Sequence, residues 1–211
     1  MAQPNSGLSD PSEKLCGMSS RSSADAAGNS VFTAVTGSGM LALWDPVSFA
    51  HVVDYDGWEV ELLEDEPVGE HIQTGKLVPL NILADGRFGV LVRVDATGAA
   101  ELTARERKYL QESSEPYLFR STGTAKVSGI ESVGAFDDTE ASVADMVPTE
   151  IDLPAGDYAV TVHLLDWEAE PGAMDDEGDA TPSALPDFVV LIEPAAGHSF
   201  RTAIETFDDL D

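Results

Sequence analysis

The residues able to do chemistry are few and scattered. Four histidines, His51, His71, His163 and His198, show neither H-x-H nor H-x-x-x-H spacing, so a zinc site would have to assemble from distant segments. His163 precedes Asp166 in the run DYAVTVHLLDW. An imidazole on a strand beside a carboxylate has the raw material of a general base, and equally that of a half-exposed strand residue with an acidic neighbour. Gly37-Ser38-Gly39-Met40-Leu41-Ala42 fits G-x-G-x-x-A after an apolar run, with Asp54 or Asp56 near the place of a ribose-binding acid. The helix such a site requires would run into Trp44-Asp45-Pro46, where proline removes a donor and clashes with the preceding turn at a cost of about 3 kcal/mol. No G-x-S-x-G is present, and Cys16, the single cysteine, has no neighbouring base and no partner for a disulfide. The expectation is a protein without enzymatic activity, cofactor or resident metal.

Acidic side chains are the abundant resource. Asp175, Asp176, Glu177 and Asp179 surround Gly178 and offer several hard oxygens of the kind calcium takes, though not at EF-hand spacing. The segment reads as a solvated acidic loop, with a ligand- or calcium-binding module as the alternative. Trp58 and Trp167, each beside acids, fit a sugar platform with paired carboxylates, or ordinary core aromatics. From Asp54 to Glu70 the chain carries Asp54, Asp56, Glu59, Glu61, Glu64, Asp65, Glu66 and Glu70 with no Lys or Arg. The whole chain of 211 residues has 39 acidic against 11 basic side chains, a formal charge of −28. That strongly disfavours binding to a phosphate backbone, which needs clustered cations, and makes an anionic membrane a poor partner. It leaves two explanations open: steering and capture of a basic partner, or adaptation to high salt and solubility.

Elements that would position these residues follow from the apolar pattern. Short runs separated by turn residues predict strands: VFTAVT and MLALW joined as a hairpin through Gly37-Ser38-Gly39, then Trp58 to Leu62 alternating apolar and acidic, Leu77 to Leu83, Phe88 to Val94, Tyr117 to Arg120 and Lys126 to Ile130. The run from Asp157 sets Tyr158, Val160, Val162 and Leu164 on one face and Thr161, His163 and Leu165 on the other, the pattern of a central strand. Phe188 to Ile192 closes the series behind Pro186. One helix is predicted within Thr103 to Glu112, where Thr103 and Glu106 have capping-box spacing. The fold class is mainly β: a two-sheet sandwich-like or barrel-like single domain with one short helix.

Residues 1–30 carry too few apolar side chains to offset their ordering entropy and read as a flexible tail. Residues 31–194 form the β-rich domain and 195–211 an acidic C-terminal tail, while Glu168 to Leu185, rich in acids, Gly and Pro, reads as a mobile loop. The first residues show no basic n-region or apolar h-region, which makes a cytoplasmic location the expectation.

Three stretches carry a family likeness: Gly39-Met40-Leu41-Ala42-Leu43-Trp44-Asp45-Pro46, Leu153-Pro154-Ala155-Gly156-Asp157-Tyr158-Ala159-Val160-Thr161-Val162-His163, and Leu185-Pro186-Asp187-Phe188-Val189-Val190. In their order over residues 31–194 the chain resembles bacterial β-rich proteins grouped near the immunity proteins of polymorphic toxin systems and the inhibitors of competence nucleases. The resemblance implies stoichiometric inhibition of a protein partner and brings no catalytic residues. Joined to the charge, it leads to an acidic interaction protein, an immunity-type inhibitor of a basic toxin or nuclease. Partner-binding residues would be Glu59, Glu61, Glu64, Asp65 and Glu66 with the loop residues Asp175, Asp176 and Asp179, anchored by Trp58 or Trp167, because buried aromatics carry affinity while rim charges tune association rate.

Overall fold

A computed structural model of the chain describes residues 29–98, 100–136 and 146–207. The expected N-terminal tail therefore lies almost wholly outside the described residues. Among the described residues ten strands form two open sheets. In the larger sheet the order is β1 (Asn29–Thr36), β4 (Gly86–Val94), β10 (Phe188–Pro194), β9 (Gly156–Leu165), and then β5 (Leu110–Ser113) and β6 (Tyr117–Ser121), both paired with β9. All of these pairs are antiparallel except β10 with β4. The smaller sheet runs β3 (Leu77–Asn81), β2 (Met40–Trp44), β7 (Thr124–Gly129), β8 (Thr149–Asp152), antiparallel throughout.

Alternation on the strands builds the core. Phe88, Val90 and Val92 of β4, Val160, Val162 and Leu164 of β9, and Phe188, Val190 and Ile192 of β10 face Leu41 and Leu43 of β2, Leu80 of β3, Val127 of β7 and Ile151 of β8 in one cluster. Burying such side chains contributes roughly 1.5–3 kcal/mol each. The opposite face of the larger sheet bears a second cluster, Leu91, Leu165, Val189 and Leu191 with Leu102 and Leu185. The two faces expected for the strand at Asp157 are thus both apolar, as a central strand covered on both sides requires.

Three helices are present among the described residues where one was expected. The short helix α3 (Ala104–Lys108) has the capping box: Thr103 Oγ1 accepts from Glu106 N–H and the Glu106 carboxylate accepts from Thr103 N–H. The segment Trp58 to Leu62, expected as a strand, is helical instead, within α1 (Tyr55–Leu62), followed by α2 (Asp65–Gln73). Trp58 and Leu62 are four apart and both buried, so the five-residue alternation also satisfies a helical face. End signals decide between them. Asp54 Oδ1 accepts from Gly57 N–H at 2.9 Å as the N-cap, and Pro67 falls in the first turn of α2, where its missing donor is not needed. Both helices pack over the smaller sheet through Trp58, Leu62, Val68 and Ile72.

The expected hairpin at Gly37-Ser38-Gly39 is not one. β1 pairs with β4 and β2 with β3 and β7, so this turn carries the chain from one sheet to the other. Gly39 has φ +76, its carbonyl accepts from Ile82 and Leu83 N–H, and a Cβ there would stand 3.0 Å from the Leu83 backbone. The stretch 195–207, read as part of a tail, lies on the core: Phe207 is 2% exposed, meets the Phe188 ring at 5.9 Å and donates its N–H to Asn81 O. Residues 168–187 are tied down by the Arg105–Glu170 pair, by Ala173 and Leu185 buried beneath them, and by turn hydrogen bonds.

Candidate functional site

α1 and α2 set the acidic residues of 54–70 along the protein surface. Glu59, Glu64, Asp65 and Glu66 are exposed, and among the described residues none has a cationic partner. Glu61 is turned inward, with Oε1 3.3 Å from His51 Nε2 and Oε2 2.8 Å from His71 Nε2. Burial opposes ionisation of Glu61, yet the hydrogen bond from His51 and the two imidazoles outweigh it and hold the carboxyl below its ordinary value. His71, packed at 4.8 Å against Phe49, is held below its ordinary value chiefly by burial, against the pull of Glu61. Glu61 is therefore a structural tie between α1 and α2 and not a free surface charge.

Trp58 does not serve as an exposed anchor. It is 8% exposed in the main core, and its Nε1–H donates to Ile130 O at 2.9 Å. The aromatic that α1 offers to solvent is Tyr55, stacked on Trp58 with centroids 5.7 Å apart. Trp167 is half-buried on the second cluster and donates through Nε1–H to Asp187 Oδ1 at 2.9 Å. Asp187 Oδ2 accepts from Gly89 N–H at 2.6 Å, joining β4 to the loop. Together with Val31, Thr33, Leu91 and the irregular segment 178–187, Trp167 lines an open groove of about 950 Å³ on the outer face of the larger sheet.

The second acidic group borders this groove. Asp175 Oδ1 accepts from both Glu177 and Asp179 N–H, at 3.0 and 2.9 Å, and Met174 bridges to Ala180. That carboxylate is spent on its own turn, Asp176 and Glu177 point to solvent, and Asp179 lines the groove. Among the described residues no three His, Cys, Asp or Glu side chains converge in a cation-binding arrangement. The structure places the helix group over the smaller sheet and the loop group over the outer face of the larger one, so the sequence-predicted site residues form two surfaces.

Other sequence candidates resolve into supporting roles. The glycine turn donates to an internal acid: Gly37 N–H reaches Glu131 Oε1 at 2.7 Å, and the Ser38 hydroxyl reaches Oε2 at 2.7 Å. The turn leads into the strand β2 and not into a helix, so the helix N-terminus that a dinucleotide site requires is not formed there. Asp45 is fully buried, accepting from Ser48 and Thr122 through backbone and hydroxyl donors at 2.6–3.0 Å. Burial would raise its carboxyl, and these four donors outweigh that and lower it. His163 does not meet Asp166, which accepts from Ala169 N–H. Its Nδ1 lies 2.7 Å from Ser113 Oγ instead, its Nε2 is buried without a partner among the described residues, and burial lowers it to about 4. This Ser–His contact was not legible in the sequence, because fifty residues separate the two and only the β5–β9 pairing joins them.

No family model matches the chain, and no curated protein matches it. Two solved structures are similar to it in fold, each at 13% identity. One, described as crocagin biosynthetic gene J, covers 80% of this chain and 96% of its own at a TM-score of 0.48. The other, ComJ from Bacillus subtilis, described as an inhibitor of the DNA-degrading activity of NucA, covers 78% and 95% at 0.44. No helix among the described residues is long and apolar enough to cross a membrane.

Proposed function

We propose that the protein is a non-enzymatic, acidic interaction protein of the cytoplasm, an immunity-type inhibitor that binds a basic toxin or nuclease one to one and blocks it. The observation that carries this reading is the group Glu59, Glu64, Asp65 and Glu66, four exposed carboxylates, on and between two short helices, that have no cationic partner among the described residues, in a segment that holds no Lys or Arg from Asp54 to Glu70. Unpaired like charges destabilise the fold that carries them and gain most from a surface of opposite sign. The non-enzymatic part is supported by His163: at about 4 its imidazole is a weak base at neutral pH, and among the described residues no acid orients its Nε2. Direct contact with nucleic acid is disfavoured by the charge of −28.

The test uses the full chain and the products of the genes on either side of its own. Each product is expressed alone, and its DNA- and RNA-degrading and growth-arresting activities are measured against rising amounts of this protein. The expected result is one basic neighbour whose activity falls to zero at one equivalent, with association that slows as salt rises. Activity that survives excess inhibitor for every neighbour would overturn the reading.

A further inference from the structure

We infer that the docking surface is the outward side of α1, centred on Val60 and Leu63, and that it receives a protein surface whose apolar cleft is rimmed by Lys and Arg. This rests on the inhibitor reading and assigns its contact. Val60 is 72% exposed and Leu63, the C-cap residue, 52%, and i,i+3 and i,i+4 spacing makes them neighbours of Asp56 and Glu59, away from the buried Trp58 and Leu62. Tyr55, 62% exposed, stands at the N-terminal end of the same helix. The patch is thus an apolar centre with Asp56, Glu59 and Glu64 around it, the layout in which central apolar residues supply affinity and rim charges supply rate.

Its backing is rigid. The Asp54 cap, the Trp58 hydrogen bond to Ile130 and the Glu61 contacts to His51 and His71 fix α1 from behind, so little ordering entropy is lost on docking. Charge complementarity selects the occupant. A second copy of the chain would set Asp56, Glu59 and Glu64 against their own kind with no cation in the segment, and an anionic lipid surface would be repelled. A basic-rimmed cleft satisfies both the centre and the rim.

The probe is a helical peptide repeating Leu-Lys-Lys-Leu-Leu-Lys-Leu, with a control in which every Leu is Ser, titrated into the full chain by calorimetry. The Leu/Lys peptide is expected to bind at least about tenfold tighter than the control. Val60→Gln with Leu63→Gln, both to good helix formers, should remove that preference while circular dichroism and binding of the Ser/Lys peptide stay unchanged. Equal binding of the two peptides by the native chain, or a preference that survives the double variant, would overturn the assignment. So would a dimer of the free protein, seen by light scattering, that the double variant dissociates. The two proposals fail separately. A neighbouring gene product inhibited equally by native and Val60→Gln/Leu63→Gln protein sinks this surface alone, and a confirmed peptide preference with no inhibited neighbour sinks the inhibitor reading alone.

Discussion

Replacing Glu106 with Gln removes one charge from the buried pair that fastens α3 to the outer face of the larger sheet. Glu106 is 3% exposed; its Oε1 accepts from Arg93 Nη2 at 2.9 Å, and its Oε2 accepts from Thr103 N–H at 2.6 Å and Arg93 Nη1 at 3.2 Å. Burial would raise this carboxyl, and Arg93 and Thr103 outweigh burial and lower it. Breaking a buried pair by neutralising one partner costs about 3–5 kcal/mol, because the other charge stays desolvated. The Arg93 side chain is 17% exposed, and the Gln carbonyl still accepts from Thr103, so the lower end applies, about 3 kcal/mol. In a domain of this size that lowers Tm by roughly 6–12 °C. Urea and thermal unfolding at neutral pH measure it. Glu106→Leu with Arg93→Met should recover most of the loss, since an apolar pair of similar volume has no desolvation cost, short of about 1 kcal/mol for the lost cap. The deficit of Glu106→Gln should also shrink in acid, because the stability a depressed carboxyl contributes is present above its ordinary value and lost as pH falls through the lowered one. A Glu106→Gln protein within about 1 kcal/mol of the native one, or a double variant as unstable as the single, would refute the reasoning.

Further outcomes are expected. The native fold holds His163 at about 4 against an ordinary 6.5, so stability is whole above 6.5 and declines as pH falls toward 4, by about 3 kcal/mol from this group; His163→Asn, which can keep the Ser113 contact, should lose that part of the slope in pH-dependent urea melts. Asp45→Asn should cost about 2 kcal/mol by chemical denaturation, since an amide cannot accept from all four donors as a carboxylate does. Leu83, 75% exposed at φ 55, should gain about 1 kcal/mol as Gly, whereas Gly39→Ala should lower Tm because its φ and the nearby Leu83 backbone both oppose a Cβ. Reversing Glu64, Asp65 and Glu66 to Lys should slow association with a basic partner in stopped flow and flatten its salt dependence; unchanged rates would make the group a solvated face.

How much was legible depended on how local the determining interaction was. The strand at Asp157 and the box at Thr103 and Glu106 were readable because the pleat and one helical turn are fixed by neighbours in sequence. Trp58 to Leu62 misled because five residues satisfy both periods, and the Asp54 cap and Pro67 that separate them lie outside the run. The burial of Trp58 was hidden for a related reason. Residue type marks an aromatic as a source of binding energy, while its direction depends on which face of α1 meets Ile130, seventy-two residues away.

Composition and pattern by themselves determined a mainly β chain, the strong negative charge and its concentration between Asp54 and Glu70, since these are properties of residues and their nearest neighbours. The tertiary structure decided which carboxylates are paired inside the fold and which remain exposed. Glu61 is consumed by two histidines, Glu131 by the glycine turn, Glu106 by Arg93 and Asp45 by four donors, contacts between residues brought together by sheet pairing and helix packing. Acids of identical chemistry therefore divide into structural ties and exposed charges, because desolvation and available donors are set by the surroundings a side chain folds into.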